Sequence, residues 1–190
     1  ATRQALATLQ AAKKPVLSIN GNVAALACDE MLRLANALSC AVEVNIFYRT
    51  PERMKAILDH MNERKHVLGV EVPVLGHAPD ARIPGLKGPR AACHREGILE
   101  SDAILVPLED GDRCQALVAM GKEVIVIDLN PLSRSAQQAT ITIVDELSRA
   151  LGNMLDFTAS EGTLEVDSDY NHIAVLEEGV NEMLNAFKRP

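Results

Sequence analysis

The sequence predicts a doubly wound α/β fold, a mostly parallel sheet with helices flanking both faces. Three observations predict it. Five short runs rich in Val and Ile are apolar almost throughout, as strands covered on both faces must be. Helical patterns separate them, so strand, helix and strand alternate as in βαβ units. The length of 190 residues suits one domain, and a 47% apolar content can fill its core.

The elements follow in order. The chain opens inside a helical pattern that carries Leu6, Leu9 and Ala12. The strand runs are residues 16–20, 41–47, 103–107, 123–128 and 140–144. Residues 23–38 form a helix with Leu26, Met31, Leu34 and Leu38 on one face. A second spans 51–65 and begins Thr50-Pro51-Glu52, an N-cap followed by proline at the first helical position. A third covers 112–120 and is stopped by Gly121. Residues 145–157 are helical, and so are 171–187, where Ile173, Leu176, Val180, Met183, Leu184 and Phe187 make an apolar stripe for a core or a dimer contact. Residues 69–90 break the rhythm with Pro73, Gly76, Pro79, Pro84, Gly85, Gly88 and Pro89. Long irregular connections in compact domains are often functional.

Composition excludes several classes of function. Lys and Arg total 19 against 26 Asp and Glu, a net charge of −7. That balance argues against general adhesion to nucleic acid or to an anionic membrane. No apolar run approaches the ~20 residues of a membrane helix, and no secretory signal pattern is present, so a cytoplasmic protein is expected. Cys28, Cys40, Cys93 and Cys114 are widely spread, without the spacing of a disulfide framework or a zinc site, and no metal site is expected. Cys93 and His94 are neighbours, but adjacent residues usually point apart, so an activated thiol is not expected.

In an open parallel sheet, ligands bind beyond the carboxyl ends of the strands. After the first strand comes Asn20-Gly21-Asn22, a small-residue turn into a helix that suits a phosphate or carboxylate, or is an ordinary glycine turn. After the second come Asn45, Tyr48 and Arg49, where Arg49 is either an anion ligand or a solvated cation. After the third comes Glu109-Asp110-Gly111-Asp112-Arg113. Its carboxylates repel unless Mg²⁺, an ammonium substrate or Arg113 lies among them, and Asp110 or Asp112 also suits a helix cap. After the fourth, Asp128 sits where a ribose or metal is held, and Ser133-Arg134-Ser135 offers a phosphate grip.

Several of these strings are familiar together. Residues 18–25 (SINGNVAA), 43–49 (EVNIFYR), 105–113 (LVPLEDGDR), 127–134 (IDLNPLSR) and 139–145 (ATITIVD) closely resemble the archaeal 4-phosphopantoate–β-alanine ligase family, also called archaeal phosphopantothenate synthetase. The resemblance runs in order from about residue 14 to 155. It implies a Rossmann-like homodimeric enzyme of coenzyme A biosynthesis. Such an enzyme joins 4-phosphopantoate to β-alanine with ATP as substrate and Mg²⁺ on the nucleotide, giving 4′-phosphopantothenate, AMP and diphosphate through an acyl-adenylate.

The resemblance places ATP contacts at Asp128, Leu129, Asn130, Arg134, Ser135, Glu146 and Leu147. Arg134 and Ser135 fall to the phosphates, and Asp128 with Asn130 to the adenosine side. Asn is usual in the family where this chain has Glu146, so that contact carries over only through the backbone or the helix terminus. Position in the fold, and not the family, suggests Asn20, Gly21, Asn22 and Arg49 for phosphopantoate and Asp110 or Asp112 for the ammonium of β-alanine. Family members carry about fifty further amino-terminal residues, two ATP-binding arginines among them. The 190 residues are therefore expected to form a single Rossmann-like ligase domain that is not the whole working enzyme. A non-catalytic nucleotide-binding or sensing domain, and a different transferase on the same fold, are the competing readings.

Overall fold

Each Val- and Ile-rich run pairs with neighbours that run in the same direction. The computed structural model describes residues 1–188, and its main sheet has six strands. They are β1 (Pro15–Ile19), β2 (Ala41–Val44), β3 (Val74–Leu75), β6 (Ala103–Leu105), β7 (Glu123–Ile127) and β8 (Ile141–Ile143). Their order is β3-β2-β1-β6-β7-β8, and every pairing is parallel. This is the doubly wound α/β arrangement expected, with the direction of winding reversing between β1 and β6. The third strand in sequence, β3, was missed because it contributes only two residues inside the proline-rich segment.

Side-chain alternation gives the sheet two different faces. Leu17, Ile19, Val42, Val44, Leu105, Ile125, Ile127, Ile141 and Ile143 point to one side. Helices α1 (Thr2–Ala11), α3 (Cys28–Ala37), α4 (Pro51–Leu68) and α7 (Leu147–Glu161) cover them in one large apolar core. Val16, Ile104, Val106, Val124 and Val126 point the other way, into a smaller core completed by Ile83, Cys93, Ile98, Cys114 and Leu117. Helix α5 (Gly111–Ala119) covers part of this second face, and the irregular connection covers the rest.

The expected helix over 23–38 is two helices, α2 (Gly21–Leu26) and α3, parted at Ala27 with φ −149° and ψ 37°. Both halves keep the apolar pattern, so periodicity alone could not reveal the break. Leu26 falls on the short first piece and is 62% exposed, not packed with Met31 and Leu34. Helix α4 starts as predicted, with Thr50 accepting from the Arg53 N–H and Pro51 at the first position.

The irregular connection holds a two-stranded antiparallel ladder, β4 (Ala81–Arg82) with β5 (Ala92–Cys93). Between them, Leu86 N–H bonds Ile83 C=O across Pro84-Gly85, and Gly85 takes φ +75°. Proline followed by a left-handed glycine is a type II turn. After β5 the chain bends sharply through Arg95–Leu99, so that Gly97 lies against the carboxylate of Glu43.

Two α-helices remain, the short α6 (Arg134–Gln138) and the longer α8 (His172–Ala186). His172 Nε2 lies 2.9 Å from the Ala136 carbonyl oxygen, which pins the start of α8 to α6. The apolar stripe on α8 does not enter the core beyond Leu176.

A Cβ at Gly97 would stand 2.2 Å from Glu43 Oε2 and 2.8 Å from Leu75 Cδ1, whereas one at Gly152 in α7 meets nothing within 4 Å. Gly97→Ala should therefore lower unfolding stability by ~1–3 kcal/mol in urea titration. Gly152→Ala should raise it by ~0.4–1 kcal/mol, because alanine is the better helix former.

Candidate functional site

The crevice that this strand order creates opens at the carboxyl ends of β1 and β6. Asn20 closes its floor. Its Oδ1 accepts from the Asn22 and Val23 N–H groups, each at 3.0 Å. Its Nδ2 donates across the crevice to the carbonyls of Pro107 at 3.0 Å and Leu108 at 3.1 Å. Leu108 holds φ +53°, a conformation rare for a side chain of this kind, and the Asn20 clamp lies directly on it. The N–H groups of Asn22 and Val23 are thus satisfied from within the protein. The cation at this turn is Arg53, whose Nη2 would lie 3.4 Å from a Cβ on Gly21.

Arg49 does not join the turn. Its Nη2 donates to the Gly76 carbonyl, and it lines a separate cavity of about 680 Å³ with Thr50, Val74 and His77. The expected grouping of Asn20, Gly21, Asn22 and Arg49 is therefore spread over two neighbouring places.

The acidic string after β6 resolves into three different environments. Glu109 is buried with 1% side-chain exposure and lies between two guanidiniums. Arg113 ion-pairs with it from the next turn of α5 and donates to Ser18 Oγ at 3.0 Å. Arg90 reaches it from the loop beyond β4, and also donates to Asp110 Oδ2 at 2.9 Å and Asn45 Oδ1 at 3.2 Å. Burial pushes the Glu109 carboxyl upward, against the pull of both cations. Asp110 caps α5 by accepting from the Arg113 N–H at 2.8 Å. Burial pushes Asp110 up, but that N–H and Arg90 outweigh it and hold the carboxyl below its ordinary range. Asp112 is 70% exposed and pairs with Arg134.

Arg134 is a solvent-exposed cation of the site. Its stem packs on Gly111, where a Cβ would meet Arg134 Cγ at 2.5 Å, and its Nη2 donates to Gln115 Oε1 at 2.8 Å. Ser135 is buried, and its hydroxyl donates to the Glu109 carbonyl at 2.6 Å. Asp128 organises the loop after β7, accepting from the Asn130 N–H at 2.9 Å and from the Ser133 hydroxyl. Leu129 is 60% exposed and Asn130 is exposed. Glu146 caps α7 by accepting from the Ser148 and Arg149 N–H groups, while Leu147 is buried in the large core.

Arg90 escaped the sequence reading although it holds the site together. The available signal was an arginine between Gly88-Pro89 and the apolar Ala91-Ala92-Cys93. Glu43 was likewise not singled out for its own role. It is 1% exposed and accepts from the His94 N–H at 2.9 Å and the Ile98 N–H at 2.8 Å, which fastens the loop to β2. All four cysteines are free and buried, and burial pushes the Cys93 thiol up to about 11, which fits an unreactive side chain.

Residues 1–186 match the phosphopantothenate/pantothenate synthetase family. The chain belongs to it. Among curated members of that family, the 4-phosphopantoate–β-alanine ligase of Thermococcus onnurineus is 52% identical over 156 residues, 82% of this chain and 58% of that protein. The ligase of the same name from Thermococcus kodakarensis is 46% identical, covering 90% of this chain and 67% of the relative. That of Methanosarcina mazei is 43% identical over 99% of this chain and 74% of its own length. The chain thus spans between 58% and 74% of the length of these synthetase-family relatives. A solved structure from Mycobacterium smegmatis, described as a thiamin diphosphate-dependent enzyme, shares the fold alone, with TM-score 0.50 and 15% identity over 89% of this chain and 28% of that one.

Removing the one buried carboxylate of the trio leaves two guanidiniums facing each other in the interior. Glu109→Gln should cost ~3–5 kcal/mol in urea titration. The double variant Glu109→Leu/Arg113→Met, which leaves Arg90 paired with Asp110, should recover part of that loss.

Proposed function

We propose that this chain carries the catalytic core of an ATP-dependent ligase that joins 4-phosphopantoate to β-alanine, giving 4′-phosphopantothenate, AMP and diphosphate in coenzyme A biosynthesis. The family match over residues 1–186 carries this reading. A carboxylate is a poor acyl donor. The phosphopantoate carboxylate would attack the α-phosphorus of ATP and expel diphosphate, and the free amine of β-alanine would then attack the mixed anhydride and expel AMP. Both steps gather negative charge, which fixed cations and N–H groups stabilise.

In this reading Arg134 takes the nucleotide phosphates, exchanging its exposed pairing with Asp112 for a bidentate phosphate contact. Ser135 and Leu147 have buried side chains, so they would meet the nucleotide through their backbones. Glu146 would act through the helix end that it caps. Asp128 and Asn130 shape the loop that would receive the adenosine. Magnesium would arrive with the nucleotide, whose phosphates supply oxygen ligands. Asn20, Gly21 and Asn22, joined by Arg53, and Arg49 beyond them would receive phosphopantoate.

We also infer a homodimer. Ile173, Met183 and Leu184 on α8 and Phe187 at its C-cap are 56%, 41%, 54% and 89% exposed, a row of apolar side chains that a second copy would cover. Light scattering at micromolar concentration should give twice the chain mass of 20.5 kDa, and Leu184→Asp should shift it toward that of one chain.

The ligase reading is tested by AMP release that needs both 4-phosphopantoate and β-alanine. ATP binding without AMP would mark a nucleotide-sensing domain instead. Arg134→Ala should lower kcat/KM at least ~10-fold, the value of one charge-assisted contact, while the melting transition stays in place.

A further inference from the structure

A cavity of about 570 Å³ lies beside Arg134's partners, between the loop after β4 and the start of α5. Its charged lining comes in opposed pairs. Asp110 and Asp112 stand on the α5 side, and Lys87 and Arg90 on the loop side, with Phe47 and Leu86 supplying apolar wall. The four charges do not have the same freedom. Arg90 already serves Asn45, Glu109 and Asp110. Asp110 is occupied by the Arg113 N–H and by Arg90. Lys87 makes no hydrogen bond or ion pair among the described residues, and Asp112 spends only Oδ1, on Arg134. The cavity therefore offers one free ammonium and one free carboxylate oxygen on opposite walls.

The backbone that carries Lys87 is held in place. The type II turn at Pro84-Gly85 precedes it, and Gly88, with φ +89°, and Pro89 follow. Ile83 N–H bonds Ala91 C=O at 2.8 Å at the loop's neck. Asn45 Nδ2 donates to the Arg90 carbonyl at 3.2 Å and the Ala92 carbonyl at 2.9 Å, which ties the loop to β2. A short stiff loop fixes where the lysine stem begins, so only the side chain is left to order on binding.

We propose that this cavity is the receptor for a short ω-amino acid zwitterion, its carboxylate held by Lys87 and its amino group by Asp112. The choice of β-alanine as that zwitterion rests on the ligase reading. The near-neutral lining suits a zwitterion and disfavours a phosphorylated acid carrying several negative charges. Asp112 pairs with Arg134 in the ligand-free protein, so an amine received by this carboxylate stands beside the cation assigned to the nucleotide phosphates. Lys87 is then the residue that distinguishes an amino acid from a simple amine.

The test is calorimetric titration of this chain with β-alanine, ethylamine and propionate. β-Alanine should bind at least ~10-fold more tightly than either fragment, because only it engages both walls. Lys87→Met should lower β-alanine affinity at least ~10-fold without changing that of ethylamine, and Lys87→Arg should restore most of it. Asp112→Asn should weaken β-alanine and ethylamine alike. A wild-type chain that does not favour β-alanine over the fragments, or a Lys87→Met variant indistinguishable from wild type, would overturn the assignment. The two readings fail separately. Discrimination by Lys87 without AMP release removes the ligase and leaves the receptor, whereas AMP release with β-alanine affinity insensitive to Lys87 does the reverse.

Discussion

Two guanidiniums and one carboxylate buried at the carboxyl edge of the sheet, Arg90–Glu109–Arg113, join parts of the chain that nothing else joins so directly. Glu109 leaves β6, Arg113 sits in α5, and Arg90 closes the loop beyond β4. Ser18 on β1 and Asn45 just past β2 complete the set through Arg113 and Arg90. Taking such charges out of water costs several kcal/mol per ion, and an apolar cluster of the same volume would serve stability equally well. A guanidinium bonded to three partners, however, sets direction as well as distance, which oily contacts cannot. The trio fixes where the loop stands relative to α5, and the walls of the cavity between them follow from it.

Charge at this edge is arranged in two tiers. The inner pairs are buried and cannot be exchanged without exposing an ion in the interior. The outer pair, Arg134–Asp112, has side-chain exposures of 59% and 70%, and a solvent-exposed pair of that kind is worth only ~0–1 kcal/mol. Its partners can therefore be released to a ligand at little cost. The inner tier gives the site its shape, and the outer tier keeps a cation and an anion solvated and available. A binding crevice for charged molecules needs both, since a fully satisfied network would have nothing to offer a phosphate or an amine.

What the sequence revealed divides along the same line. The five longer strands and the helices between them were legible because apolar runs and helical periodicity are local signals, and Thr50-Pro51 and Gly121 marked boundaries through known backbone preferences. The break at Ala27 was not legible, since Leu26 and Met31 keep helical spacing across it. The strings after the strands were found because the sheet's geometry directs ligands there. Their internal use was not. Nothing local to Glu109 and Arg113 shows that Arg90, nineteen residues earlier, reaches the same carboxylate. Arg49 and Arg53 look equivalent in sequence, and only the path of α4 decides which of them lies at Gly21.

The two faces of the sheet explain why stability and chemistry do not compete for the same residues. In the segment Val42-Glu43-Val44-Asn45, the valines enter the large core beneath α3 and α4, and the polar pair enters the opposite side. Ser18, directly beside Glu43 in the β1–β2 register, extends that polar row. A hydrophobicity average over this strand hides the alternation, since a two-residue period places every second side chain on one face. The face under α1, α3, α4 and α7 is apolar to its ends and supplies most of the burial. The other face is apolar along β6 and β7, through Ile104, Val106, Val124 and Val126, and polar where β1 and β2 approach the crevice. The irregular segment can lie there with only short helical turns because Glu43 and Asn45 satisfy its backbone from below. A loop fastened in this way is rigid enough to carry a recognition residue, and the polar strand positions that hold it would be unaffordable in the first core.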